Sequence, residues 1–202
     1  MSSEGEAAWA ALPGRLIVIS GPSGSGKSTL AQRLLERADL KLRVSVSATT
    51  RPARAGEQDG RDYYFVSPEK FTEMLPGLLE FAQVHGQMYG TPAEPVRQAL
   101  TLGYCVLLII DVQGGLQVRS KVPGALLVFI QVPDLNVLKT RLRRRGSDSE
   151  AVIERRIANA QWEIEMAGQY DVQVINDDLD RAVQELASIL VAHGCGGRKN
   201  DD

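Results

Sequence analysis

Leu16-Ile17-Val18-Ile19-Ser20-Gly21-Pro22-Ser23-Gly24-Ser25-Gly26-Lys27-Ser28 is the stretch from which the rest of the chain can be read. The apolar run predicts a buried strand, the glycines a turn, and residues 29–38 a helix. Residues 21–28 fit G-x-x-x-x-G-K-[ST] in the strand–turn–helix context its chemistry requires. Glycines carry no Cβ, so backbone N–H groups can curl around a phosphate while the open donors of a helix start point at it. Lys27 brings a cation to the β- and γ-phosphates, and the Ser28 hydroxyl is the expected metal ligand, for Mg²⁺. The chain is expected to bind a nucleoside triphosphate.

Composition sets the frame around this motif. A chain of 202 residues, 44% hydrophobic and 24% charged, predicts one compact α/β domain with small insertions. A net charge of −2 argues against a general nucleic-acid binder. Cys105 and Cys195 are far apart, show neither a disulfide framework nor metal-ligand spacing, and suit a reducing compartment. Residues 1–12 contain Glu4 and Glu6 and lack a basic start, so they do not read as a signal peptide. The apolar runs 104–110 and 126–130 are too short to span a bilayer. A soluble, cytoplasmic protein without membrane or nucleic-acid partners is expected.

Four apolar segments, 15–20, 104–110, 126–132 and 172–176, predict buried strands of a parallel sheet. Between them, Leu30, Leu34, Leu35 and Ala38 give one apolar helical face; Ile153, Ile157, Ala160 and Ile164 give a second; Leu179, Val183, Leu186 and Leu190 a third. Strand–helix alternation around the glycine-rich turn implies a doubly wound sheet with ligands at the carboxyl ends of its strands. Residues 44–92 break the rhythm and read as an inserted subdomain; the lid is assigned to 139–169, which opens on a strongly basic run. The core then comprises 15–43, 93–138 and 170–193, with disordered tails at 1–14 and 194–202.

Phosphoryl transfer to an acceptor that is itself a phosphate needs positioning and cations, and no general base. Arg51, Arg54 and Arg61, and the basic residues from Lys139 through Arg156, meet that need; His85 and His193 read as surface or packing residues. Asp111 ends an apolar strand, where an acid can bind Mg²⁺, cap the next helix or read a substrate. Cys105 reads as core packing.

Residues 45–57 and 60–66, with Tyr89-Gly90-Thr91, Asp111-Val112-Gln113-Gly114, Arg143-Arg144-Arg145-Gly146 and Asn176-Asp177-Asp178-Leu179, resemble the guanylate kinases over residues 15–192. The resemblance implies a P-loop NTPase three-layer fold with a central parallel sheet, an inserted nucleoside-monophosphate-binding subdomain and a helical lid. It implies ATP-dependent phosphorylation of GMP with Mg²⁺. By resemblance Gly21, Pro22, Ser23, Gly24, Ser25, Gly26, Lys27, Ser28 and Thr29 hold ATP; Arg51, Arg54, Tyr63 and Tyr89 hold the GMP phosphate; Ser47, Glu80, Thr91 and Asp111 read guanine. Lys27, Arg51, Arg145 and Arg156 are the expected catalytic residues, the last two from the lid. Guanine presents N1–H and an N2 amino group side by side, which one carboxylate accepts together, and adenine cannot match that pattern.

Three positions depart from the family pattern. Ile109 stands where many members carry a second acid, Arg144 replaces a glycine, and the stretch 74–80 is about two residues short, with Pro76-Gly77 expected as a tight turn. Two alternatives stay open: a protein-binding module of the same fold, against which the intact glycine-rich turn argues, and a kinase for another phosphorylated acceptor.

Overall fold

The computed structural model describes residues 9–84, 86–144 and 149–197. In chain order they form β1 (Arg15–Ser20), α1 (Lys27–Leu35), β2 (Leu42–Val44), β3 (Ala48–Thr49), β4 (Tyr64–Phe65), α2 (Pro68–Met74), β5 (Leu78–Val84), β6 (Gln87–Pro92) and α3 (Ala93–Thr101). There follow β7 (Cys105–Ile109), α4 (Val112–Lys121), β8 (Leu126–Gln131), α5 (Leu135–Arg144), α6 (Glu150–Glu165), β9 (Val172–Ile175) and α7 (Leu179–Leu190).

The main sheet runs β2-β7-β1-β8-β9 with every pairing parallel. The four expected strands supply all but one edge. That edge, β2, is three residues with Arg43 exposed at its centre, so it carries no apolar run to announce it. Alternation along β1 splits the core in two. Ile17 and Ile19 face α1 and α7 through Leu30, Leu34, Leu186 and Leu190. Leu16 and Val18 face α3 and α4 through Val96, Leu100 and Val118. Burial on both faces is what a parallel sheet under two helical layers demands, and each such aliphatic side chain contributes about 1.5–3 kcal/mol. A smaller cluster, Leu138, Leu142, Ile153 and Ala160, joins α5 to α6. A second sheet, β4-β3-β6-β5, occupies the chain between β2 and α3; its β5–β6 and β3–β6 pairs are antiparallel.

Both ends are corrected at their described residues. Trp9 is buried under the Arg97 guanidinium, 4.6 Å from its ring centroid, and the Gly14 amide donates to Leu100 O at 2.9 Å. At the other end Gly194–Gly197 are not a loose tail. Cys195 is buried and disulfide-bonded to Cys105, their Cα atoms 5.6 Å apart, and Gly197 N donates to Asp39 O at 2.7 Å. The expectation of no disulfide therefore fails. The partners are 90 residues apart in sequence and meet only because the segment after α7 returns beside the start of β7. Residues 1–8 and 198–202 lie outside the described residues. No described helix is long and apolar enough to cross a membrane.

Candidate active site

β1 ends at Ser20, and the chain turns through glycines that only a residue without Cβ fits. Gly24 and Gly26 have φ of 90° and 95°, and a side chain on Gly26 would collide with Asn176 Nδ2, which donates to Ser25 O at 2.7 Å. Gly26 then starts α1, leaving the helix's first N–H groups open toward the turn. Lys27 folds back over it, its Nζ donating to Gly21 O at 2.6 Å and Pro22 O at 3.0 Å. From α6, Arg156 Nη1 donates to Ser23 Oγ at 3.1 Å, so the lid region already touches the turn.

Two cavities flank this turn. One, about 570 Å³, is walled by the turn, Arg141, Arg144, Asn176, Asp177 and Leu179. The other, about 240 Å³, runs from Lys27 and Ser28 past Ile109 and Asp111 to Ser47, Arg54 and Tyr63 beside the second sheet and to Glu80 and Tyr89 within it. It joins the open helix start to the inserted residues. Pro76 and Gly77 sit in a 3₁₀ turn that delivers Glu80 into β5 opposite Thr91 of β6. Thr91 Oγ1 donates to Glu80 Oε1 at 2.6 Å and lies 3.1 Å from Ser47 Oγ, making a polar chain of three at the cavity's far end. A side chain on Gly114 would strike Glu80 Oε2, so that glycine makes room for the carboxylate.

Burial pushes the Glu80 carboxyl up to about 7; the Thr91 hydroxyl opposes the rise and the Asp111 carboxylate adds to it. Asp111 caps α4, its Oδ1 accepting from Gly114 N at 3.0 Å and its Oδ2 from Gln113 Nε2 at 3.1 Å. Arg51 neighbours Tyr63 and Tyr89 of this cavity. Its guanidinium forks onto Glu57 with two contacts of 2.9 Å, which raise Arg51 and lower Glu57 from their ordinary values. It sits 5.4 Å from the Tyr63 ring, whose hydroxyl burial pushes up, and Tyr63 packs edge-on against Tyr89. Thus Arg54, Tyr63 and Tyr89 line the cavity, and Arg51 beside them is held by its own acid.

Sequence reading missed Glu163. It flanks the apolar face of α6 and lines the cavity beside Lys27 and Asp111. Burial pushes it up to about 7, with Lys27 opposing and Asp111 adding. The one available signal was an acid seven residues after Arg156, two helical turns on along one face. Glu57 was equally silent, since the sequence pairs it with no particular arginine. Arg145 and His85 lie outside the described residues; His193 bonds Ile189 O at 2.8 Å on α7, far along the chain from the turn.

Oxygen donors at the cavity suit a hard cation that keeps its waters: Ser28 from α1, with Asp111 and Glu163 in the same wall. Among the described residues no three acids, histidines or cysteines converge on a bare metal ion.

The family model described as guanylate kinase matches residues 13–193. A guanylate kinase of Synechocystis sp. is 48% identical over 88% of this chain and 93% of its own length. One from Gloeobacter violaceus is 51% identical over 87% and 86%. The crystal structure of guanylate kinase from Anaplasma phagocytophilum superposes with a TM-score of 0.73 at 32% identity, covering 92% of this chain and 88% of that one.

Proposed function

The chain belongs to the guanylate kinase family and transfers the γ-phosphoryl group of ATP to GMP, and on that premise we propose how its residues divide the work. The glycine-rich turn, residues 21–29, takes the ATP phosphates on its amides, with Lys27 leaving the Gly21 and Pro22 carbonyls for the β- and γ-oxygens. The larger cavity beside Arg141 and Asn176 takes the rest of ATP. GMP lies in the smaller one. Arg54, Tyr63 and Tyr89 hold its phosphate, with Arg51 adding charge beside them, and Glu80 accepts guanine N1–H and N2–H while Thr91, Ser47 and Asp111 complete the base contacts. Ser28 would hold Mg²⁺, whose chemistry is charge neutralisation at the β- and γ-phosphate oxygens. Arg156, with Arg145, spreads positive charge over the transferring group from the lid side and excludes water.

The observation that carries this reading is the Glu80–Thr91–Ser47 chain at one end of a cavity whose other end is the glycine-rich turn. A carboxylate facing two parallel donors accepts guanine and leaves adenine's N1 lone pair facing an anion. We place the activity in the cytoplasm, where ATP and nucleoside monophosphates are supplied. A disulfide with both cysteines buried is shielded from soluble thiols and tolerates that compartment. The test is an enzyme-linked assay with GMP, AMP, CMP and UMP at saturating ATP, with and without a chelator. Turnover restricted to GMP and lost on chelation is expected; equal rates with AMP would remove Glu80 from base recognition.

A further inference from the structure

Three carboxylates line the smaller cavity, and two of them are committed. Glu80 accepts the Thr91 hydroxyl, and both Asp111 oxygens accept hydrogen bonds within the cap of α4. Glu163 is different. The neighbours that act on it electrostatically are Lys27 and Asp111. It also walls a side cavity of about 170 Å³ with Asp111, Gln113 and Trp162, which leaves room for water around its oxygens. An ionised group half-enclosed by protein is costly unless something charged or polar meets it. Lys27 donates to the turn carbonyls and acts on Glu163 through its charge.

Arg156 and Glu163 lie two turns apart on one face of α6, an interval of seven residues. That face gives the turn a cation at Ser23 and gives the Lys27–Ser28 end an anion. A phosphate chain carrying a cation has both charges to offer. Magnesium takes few protein oxygens directly and keeps several waters, which need acceptors of their own.

We infer that Glu163 is a metal-positioning residue: it accepts hydrogen bonds from waters on the Mg²⁺ that Ser28 and the ATP phosphates hold, and so ties α6 to the metal–nucleotide complex. This rests on the reading of the turn as the ATP site. It also supplies a task that Ile109, an apolar wall of the same cavity, cannot perform.

The experiment is calorimetric titration of the full chain, without GMP, using a non-hydrolysable ATP analogue with Mg²⁺ and again with EDTA. Electron paramagnetic resonance of Mn²⁺ added with the analogue gives a second readout. Glu163→Gln is expected to weaken the metal-bound analogue by about tenfold while leaving the metal-free analogue at wild-type affinity, and to leave more Mn²⁺ free. Equal binding by wild type and variant overturns the inference, as does an equal loss with and without metal. Should the glutamine variant not fold, Glu163→Asp keeps the charge and shortens the reach, and the same metal-selective loss is expected from it in smaller measure; its absence there overturns the inference too. If the wild-type protein binds the analogue under neither condition, it is the assignment of the ATP site that falls.

Discussion

Cys105 and Ile109 bound the same strand, β7, and the surroundings of its two ends have little in common. At the amino end Cys105 pairs alongside Arg15 of β1, bonded to Cys195, and Lys41 N closes on Cys195 O at 3.1 Å. Everything there is tied to something. At the carboxyl end Ile109 faces a cavity walled by Lys27, Ser28 and three carboxylates, two of them pushed up to about 7 by burial. The site end gathers cations and three carboxylates around one cavity, and on the proposed reading nucleotides complete it. A fold can keep such an end only if the rest is secure, and the disulfide and the double apolar core lie where they cannot interfere with binding.

Damage at one end should therefore leave the other's property untouched. Lys27→Ala is expected to cost the most. Turnover should fall by about a thousandfold, the scale of removing one electrostatic stabiliser of the transferring group, while thermal unfolding shifts little. A large loss of melting temperature in that variant would break the division. At the opposite edge, Cys195→Ser is expected to lower unfolding free energy by up to about 4 kcal/mol, since the bond closes a loop of 90 residues in the unfolded chain. Denaturant melts with and without a dithiol measure it, and kcat at 25 °C should stay at the wild-type value.

Glu80→Gln sharpens the comparison within the site end. A carboxamide can accept one guanine donor but turns its own N–H toward the other, so kcat/KM for GMP should drop about a hundredfold and the ratio of GMP to AMP should narrow. The smallest effects are in pH. A carboxylate at about 7 in the folded protein and near 4.3 when unfolded leaves the folded state holding more protons between those values. Stability contributed by protonated Glu80 is therefore fully present below about pH 4 and lost as pH rises through about 7. GMP binding runs the other way because it needs the ionised form. Affinity should fall about fourfold between pH ~8 and ~6.5, and the part of that slope due to Glu80 should vanish in Glu80→Gln.

Much of this was legible in residue order. The turn could be read because its glycines sit where positive φ and close approach demand them, at Gly24 and Gly26. Glu80 could be placed despite the shortened stretch before it, because strand pairing with β6 restores its position opposite Thr91. Arg51 was visible as a cation in a signature but not as one already forked onto Glu57. Strand β2 escaped because three residues around an exposed arginine carry no hydrophobic pattern.

Periodicity and the glycine-rich turn by themselves determined the parallel sheet, the helices that cover it and the end of the sheet at which the cavities lie, because backbone sterics and apolar burial act on neighbours along the chain. Only the tertiary structure decided which acid faces the Lys27 end of the cleft, which acid holds Arg51 and that Cys105 meets Cys195. Those pairings join residues from separate elements, and the angles at which α6, α7 and the second sheet pack set their distances.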